Sequence, residues 1–512
     1  MSTHLSAGNG TGSSASASAS ASASASASAS AQSVTPGSDG LSAAQRLSAF
    51  AYALEPSALP TDVRLKATHH IVDAIGLAFA SRHFPFAEPA LRGIAAAGAA
   101  GDATVIGGTQ TLAPRDAALA NGYLIHGLDF DDTHPLSIVH PTVACLPAAL
   151  AIAEARDLSW DELLAAYAAG METAIRLGAA VDGGFHHVGF HATGIVAHFS
   201  AAIVAGKLLG LDSAQLTAAQ GIAASTAAGV QVFLEEGAWT KRLHPGWGAL
   251  AGITAAHLAQ NGFASPTRPY EGRFGLFDTH LQEHAASVDV ASIGAGLGTQ
   301  WSLLGTAIKP YPVCHFIHGC AEAALVLRDS LRDSLRDPLR DTSRDSLGDI
   351  ERISEIICYL PAQTLPIVAE PAAIKQVPKT DYDAKFSTQF VVATCLARGR
   401  FGLAELSDES LVDPLLLRLA AKVRCVVDPL SAFPRYFSGG VTVRLADGSA
   451  HTHHIAVNLG SGERALSVDD IAAKFRGTAG LSLPADRVDA LLEVLLAPGR
   501  RSVRAITQLL RA

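Results

Sequence analysis

Aromatic residues make up only 6% of the 512-residue chain, and methionine occurs twice. Alanine and glycine supply much of the 49% hydrophobic content, which favours closely packed helices over a sandwich of bulky strands. Cysteine is sparse as well. Its six positions (145, 314, 320, 358, 395 and 425) include no Cys-x-x-Cys pair, which argues for reduced thiols and against a disulfide framework or an iron–sulfur cluster. Positive charge is also short: the net charge is −9, and lysine stands at only nine positions. Nucleic acids and anionic membranes need a basic field, so neither is an expected partner. An anionic ligand would have to be met by local cations.

The charge-free stretch Ser213 to Leu234 is laced with Gln215, Gln220, Ser225 and Thr226, so it reads as a buried helix and not as a bilayer span. Residues 1 to about 40 have neither a basic leader nor a leucine-rich block, so no signal peptide is expected and the location predicted is cytoplasmic. No Walker loop or Gly-x-Ser-x-Gly elbow occurs, and Gly294 to Gly298 lacks the flanking strand and helix of a dinucleotide site. No cofactor is expected.

The length suggests two structured domains plus tails. Ser14 to Ala31 is a Ser-Ala alternation with almost no side chain to bury, so residues 1–40 are expected to be a disordered tail. An Arg-Asp-Ser-Leu unit repeats over 328–348 and reads as a solvated insertion dispensable for catalysis. Helix signals dominate elsewhere: an apolar-periodic run from Thr61 to about Ala80, a capping box at Ser159–Glu162, and helix starts at Asp212 and Ser467. Strand signals cluster at Ile353–Tyr359, Val423–Val427 and Val441–Leu445, the last joined through Asp447-Gly448 to a run over 451–457. The expected fold is mainly α: a helical domain over 41–304, a smaller α+β domain over 305–460, and a return to the helices over 461–512.

Three carboxylates and several imidazoles crowd into His126-Gly-Leu-Asp129-Phe-Asp131-Asp132-Thr133-His134, followed by His140-Pro141. Such a cluster is costly to bury without a purpose. If the preceding helix continues, Asp129, Asp132 and Thr133 share one face. A solvated helix end or a metal site are the alternatives, although the acids are packed too tightly for an ordinary ligand spacing. His187, His191 and His198 recur at helical spacing, and His191 stands at a glycine-flanked helix entrance. Lys241 and Lys309 lie in segments rich in Pro, Gly and aromatics that read as loops, where function concentrates. Cys314 reads as an inert, partly buried thiol.

These blocks resemble the MmgE/PrpD family, which includes 2-methylcitrate dehydratase and cis-aconitate decarboxylase. The similarity rests on Asp129-Phe-Asp-Asp-Thr133 with His140-Pro141, Gly189-Phe-His191, Lys241-Arg-Leu-His244, Lys309-Pro-Tyr-Pro-Val-Cys314 with His318, and Asp383-Ala-Lys-Phe-Ser387, in the family's order. It implies a helical domain built from both chain ends, an inserted lid-like α+β domain, an active site between them, a homodimer and no metal. The implied site comprises Asp129, Thr133, His140, His191, Lys241 and Lys309, with His318 also against the substrate. Lys241 and Lys309 would hold carboxylates, and His140 or His191 would move the proton. Cys314 and Phe390 depart from the decarboxylase branch, which carries histidine and tyrosine there. The activity expected is therefore metal-independent dehydration of a 2-methylcitrate-type polycarboxylate. The alternatives are cis-aconitate-type decarboxylation, epimerisation by proton abstraction, and an inactive polycarboxylate-binding dimer.

Overall fold

A computed structural model describes residues 40–335, 350–499 and 501–512. The Ser-Ala tail and most of the Arg-Asp-Ser-Leu repeats lie outside these residues. The repeats begin within the helix His318–Leu335.

The described chain is mainly helical and packs around two hydrophobic cores. The first draws on residues from Ala43 to Ile308 and again from Ile471 to Leu510. At its centre the helix Ala192–Leu209 lies against Thr240–Gln260, Trp160–Ala179 and Thr142–Arg156, while Thr240–Gln260 also packs on Pro114–His126. Small residues allow this proximity. A Cβ added at Gly252 would come within 2.5 Å of the Ala202 backbone nitrogen, and one at Gly246 within 2.4 Å of the Leu119 carbonyl oxygen. The scarcity of aromatics thus appears in space as helices whose backbones nearly touch. Ala192–Leu209 is long and apolar enough to cross a membrane, and 89% of it is buried inside the protein. From the C-terminal end, Val468–Ala479 and Ala485–Leu496 pack on Thr61–Ser81, where Gly76 makes room for Thr478.

The second core runs from Val313 to Ile455 and takes in Phe233. It is organised on a four-stranded sheet in the order Val423–Val427, Ile353–Leu360, Gly439–Leu445, Ala450–Ile455. The first pair is parallel, with Cys358 opposite Cys425, and the rest is antiparallel. The last two strands form the Asp-Gly hairpin expected from sequence, with Gly448 at φ 87° in the left-handed region that glycine adopts freely. Helices His318–Leu335 and Thr388–Arg398 cover the sheet. The capping boxes at Ser159, Asp212 and Ser467 all form. All six cysteines are free thiols.

Four local expectations change. The helix before the acidic cluster ends at His126, because Asp129 takes φ 51° and turns the chain, so Asp129, Asp132 and Thr133 share no helical face. His187 and His191 are separated by Gly189 at φ 94°, His187 ending one short helix and His191 standing just before the next. Lys241 lies in the first turn of Thr240–Gln260 instead of a loop, and Pro245 is accommodated inside that helix. Of the charge-free stretch only Ser213–Ala223 forms a long helix.

Candidate active site

The loop 127–141 is pinned from several directions. Arg242 donates from Nε to the Gly127 carbonyl at 2.7 Å, and Lys474 donates to the Phe130 carbonyl at 2.8 Å. Thr133 and Ala307 exchange both backbone hydrogen bonds at 2.9 Å. With its ends fixed, the loop holds two non-glycine residues, Asp129 and Ile138, at φ 51°. For a β-branched residue such as Ile138 this is a strained conformation, of the kind that persists where surrounding structure over-determines it.

Asp129 is the electrostatic centre. Its Oδ1 lies 3.0 Å from the ammonium nitrogens of both Lys241 and Lys309, and Lys309 also donates to the Asp129 carbonyl at 2.8 Å. Burial alone would raise the pKa of this carboxyl, but the two ammonium groups outweigh it and hold it well below the usual carboxylate range. Reciprocally, burial would lower Lys309, and Asp129 raises it above the ordinary lysine value.

Around this centre stand the imidazoles. His140 presents Nδ1 to the Asp132 carbonyl at 2.8 Å and to an Asp131 carboxylate oxygen at 3.0 Å. Two acceptors at Nδ1 keep its proton there and leave Nε2, 3.9 Å from Asp129 Oδ1, as the exchangeable atom. Asp131 also engages His126 Nδ1 at 2.9 Å, and burial lowers the His126 pKa to about 4. His191 occupies the position before Ala192–Leu209, its Nδ1 3.1 Å from Nδ1 of His244. Burial, with Lys241 and His244 adding, holds His191 well below its ordinary value, so the resting ring is neutral. Asp132 turns away to accept from Thr142 and to lie 2.9 Å from His70.

One cavity of about 70 Å3 is lined by Asp129, Thr133, His140, His191, Lys241 and Lys309 together. Of the residues expected here, His318 is not in that lining. It is buried, with Nε2 3.3 Å from the Val313 carbonyl oxygen. Cys314 does line the cavity, and burial followed by Asp129 pushes its thiol pKa up, so it is no ready nucleophile. Phe390 is buried elsewhere in the second core.

The cavity also takes in Phe386 of the Asp383–Ser387 block and residues that the linear pattern did not single out: His315, Phe316, Gln231, Phe233 and Phe437. His315 adjoins Cys314 in the Lys309 block, but nothing in its spacing distinguishes it from His318. Several buried polar atoms beside the cavity have no hydrogen-bond partner among the described residues, including Asp129 Oδ2, His191 Nε2 and His315 Nδ1. Such atoms mark a place where a polar ligand completes the hydrogen bonding. Two trios, His126–His140–His191 and Asp129–Asp131–His140, each bring ligand atoms within 4.8 Å. A cation held by Asp129, however, would face the two ammonium groups already beside it.

The MmgE/PrpD N-terminal domain matches residues 45–289 and the MmgE/PrpD C-terminal domain residues 311–497. A cis-aconitate decarboxylase of Aspergillus terreus is 26% identical over 459 residues, covering 86% of this chain and 90% of that protein. The human cis-aconitate decarboxylase is 29% identical over 394 residues, covering 75% and 76%. The cis-aconitate decarboxylase-like protein oryM of Aspergillus oryzae is 25% identical over 451 residues, covering 86% and 90%. Two domain models in tandem, which together match most of the chain, place it in the MmgE/PrpD family.

Proposed function

We propose that this protein is a lyase that decarboxylates cis-aconitate or a close analogue by acid/base catalysis. The observation that carries this reading is the two-sided character of the cavity. Lys241, Lys309 and the imidazoles supply polar contacts, whereas Phe316, Ile367, Phe386 and Phe437 supply an apolar wall. A carboxylate that departs as CO2 gives up its charge, so apolar surroundings disfavour its ground state more than its transition state. The carboxylates that remain need cations, and the two lysines are in position to pair with them.

The bond balance is simple. The bond from the methylene carbon of cis-aconitate to its carboxylate breaks, and its electron pair forms a new double bond. The pair of the old double bond moves to the former vinylic carbon, where the adjoining carboxylate spreads the charge. A proton delivered to that carbon, with His140 Nε2 as the first choice and His191 as the second, yields an unsaturated dicarboxylate and CO2. Thr133 would donate a hydrogen bond.

A second reading is 2-methylcitrate-type dehydration, favoured by Cys314, which lines the cavity at a position where the resemblance implies a histidine in the decarboxylase branch. The same groups would then remove a proton α to a carboxylate and protonate the leaving hydroxyl. Incubation with cis-aconitate, citrate and 2-methylcitrate in deuterated water, followed by proton NMR and CO2 release, separates the two. Release of CO2 with deuterium in the product supports decarboxylation. Loss of water alone replaces that reading with dehydration.

A further inference from the structure

We propose that His315 is a substrate contact that donates a hydrogen bond from Nδ1–H to a carboxylate, and that Asn458 is the positioning residue that fixes this tautomer. The proposal deepens the polycarboxylate reading and rests on it.

His315 opens a short turn, His315–Ile317, that leads into the helix His318–Leu335, and its ring lines the cavity from the second core. Packing against Phe437 (ring centroids 4.5 Å apart) and His318 (4.3 Å) fixes the ring plane. Its Nε2 lies 2.9 Å from the Asn458 side-chain nitrogen. The orientation of that amide is determined by its other contacts. Asn458 Oδ1 accepts from the Phe437 backbone N–H at 3.0 Å, and Nδ2 donates to Ser461 Oγ at 3.0 Å. The NH2 group therefore faces His315, and a donor facing Nε2 requires Nε2 to be the acceptor. Burial, reinforced by His318 and Lys309, keeps the ring neutral, so its one proton resides on Nδ1.

The result is a buried N–H, fixed in place, with no acceptor among the described residues. Leaving such a donor unmatched is unfavourable, and an incoming oxygen anion removes that penalty. The cavity's lysines are two, and both are engaged by Asp129. A tricarboxylate brings more carboxylate groups than two lysines can cover. His315 offers the additional donor, from the side of the cavity contributed by the second core.

The test compares His315→Leu, His315→Asn and Asn458→Asp in the full-length protein. The readouts are KM for cis-aconitate and calorimetric binding of propane-1,2,3-tricarboxylate, a saturated tricarboxylate that cannot react. Loss of a hydrogen bond to a charged group should weaken binding about 10- to 100-fold in His315→Leu. Asparagine keeps an N–H donor near the position of Nδ1, so His315→Asn should stay within about threefold of wild type. In Asn458→Asp the carboxylate draws the proton to Nε2. Binding should then weaken, relative to wild type, as pH rises and the ring loses its second proton, a pH signature that a packing defect would not produce.

Independently of turnover, nitrogen NMR of histidine-labelled protein should show the resonance missing in His315→Asn to be an Nδ1-protonated neutral ring. Wild-type binding in His315→Leu, a pH profile of Asn458→Asp parallel to wild type, or an Nε2-protonated ring would each overturn the proposal. If the wild type binds no polycarboxylate at all, the functional reading falls and this inference with it. If the wild type binds and His315→Leu binds equally well, the inference alone is defeated.

Discussion

Lys309 reaches across 180 residues of sequence to set its ammonium nitrogen 3.0 Å from the Asp129 carboxylate and 2.8 Å from the Asp129 carbonyl oxygen. Lys309→Ala removes one of the two cations from a buried carboxylate. The stability cost should be about 3 kcal/mol, the lower end for a broken buried pair, because Lys241 stays. KM should rise, since the substrate anion is present in ground and transition states alike, and kcat should fall as well, because Lys309 also faces the charge that the adjoining carboxylate takes up as the bond breaks. Thermal unfolding and steady-state kinetics check both; a variant with unchanged KM would contradict a carboxylate-holding role.

His140→Ala should lower kcat by roughly 10² to 10⁴, the usual contribution of a positioned acid or base. The helical content should be unchanged, because the ring sits on a loop held by Arg242, Lys474 and Ala307 independently of it. Circular dichroism beside single-turnover kinetics reads the two effects separately.

Acid should destabilise the protein between pH 6.5 and 4. Burial lowers His126, His134, His186, His198 and His244 to about 4 from an ordinary 6.5. A group depressed in the folded state favours that state fully above its unfolded pKa and loses the contribution as pH falls through the folded one. One pKa unit is about 1.4 kcal/mol, so even a fraction of these shifts removes several kcal/mol. Asp73, raised to about 6 by burial although Lys474 opposes the shift, acts in the opposite direction, but it is one group against the lowered histidines. Denaturant midpoints measured at pH 7, 5.5 and 4.5 should fall in that order; a flat series would contradict the neutral-imidazole core.

Activity should survive exhaustive chelation, since a cation at Asp129 would have to displace or endure two lysines. Loss of turnover on chelation, restored by one divalent ion, would overturn the metal-free chemistry.

The helices and the sheet were legible in the sequence because their signals are local. Ser159 and Asp212 announce their helices through side chains three residues away, and Asp447-Gly448 announces its hairpin. The candidate site was legible to the extent that its residues are chemically unusual where they stand: crowded acids, rare lysines, a glycine-flanked histidine. Their convergence was not, since Asp129 meets Lys309 only through the pairing of Thr133 with Ala307. His315 and His318 look equivalent along the chain, and only the turn at His315–Ile317 directs one to the cavity and the other to the Val313 carbonyl. The loop at Asp129 defeated a helical reading because its conformation is imposed by distant partners instead of by its own residues.

The pairing of Asp129 with two lysines bears finally on how the site responds to salt. The Asp129 carboxylate offsets one of the two ammonium charges, and the group lies behind protein atoms, where mobile ions have little access. A substrate approaching through solvent meets the screened outer field of an acidic chain, whose net charge of −9 slows anion capture at low ionic strength. Added salt should therefore hasten substrate association while leaving dissociation nearly untouched, the reverse of the behaviour of an enzyme that draws anions in through an exposed basic funnel.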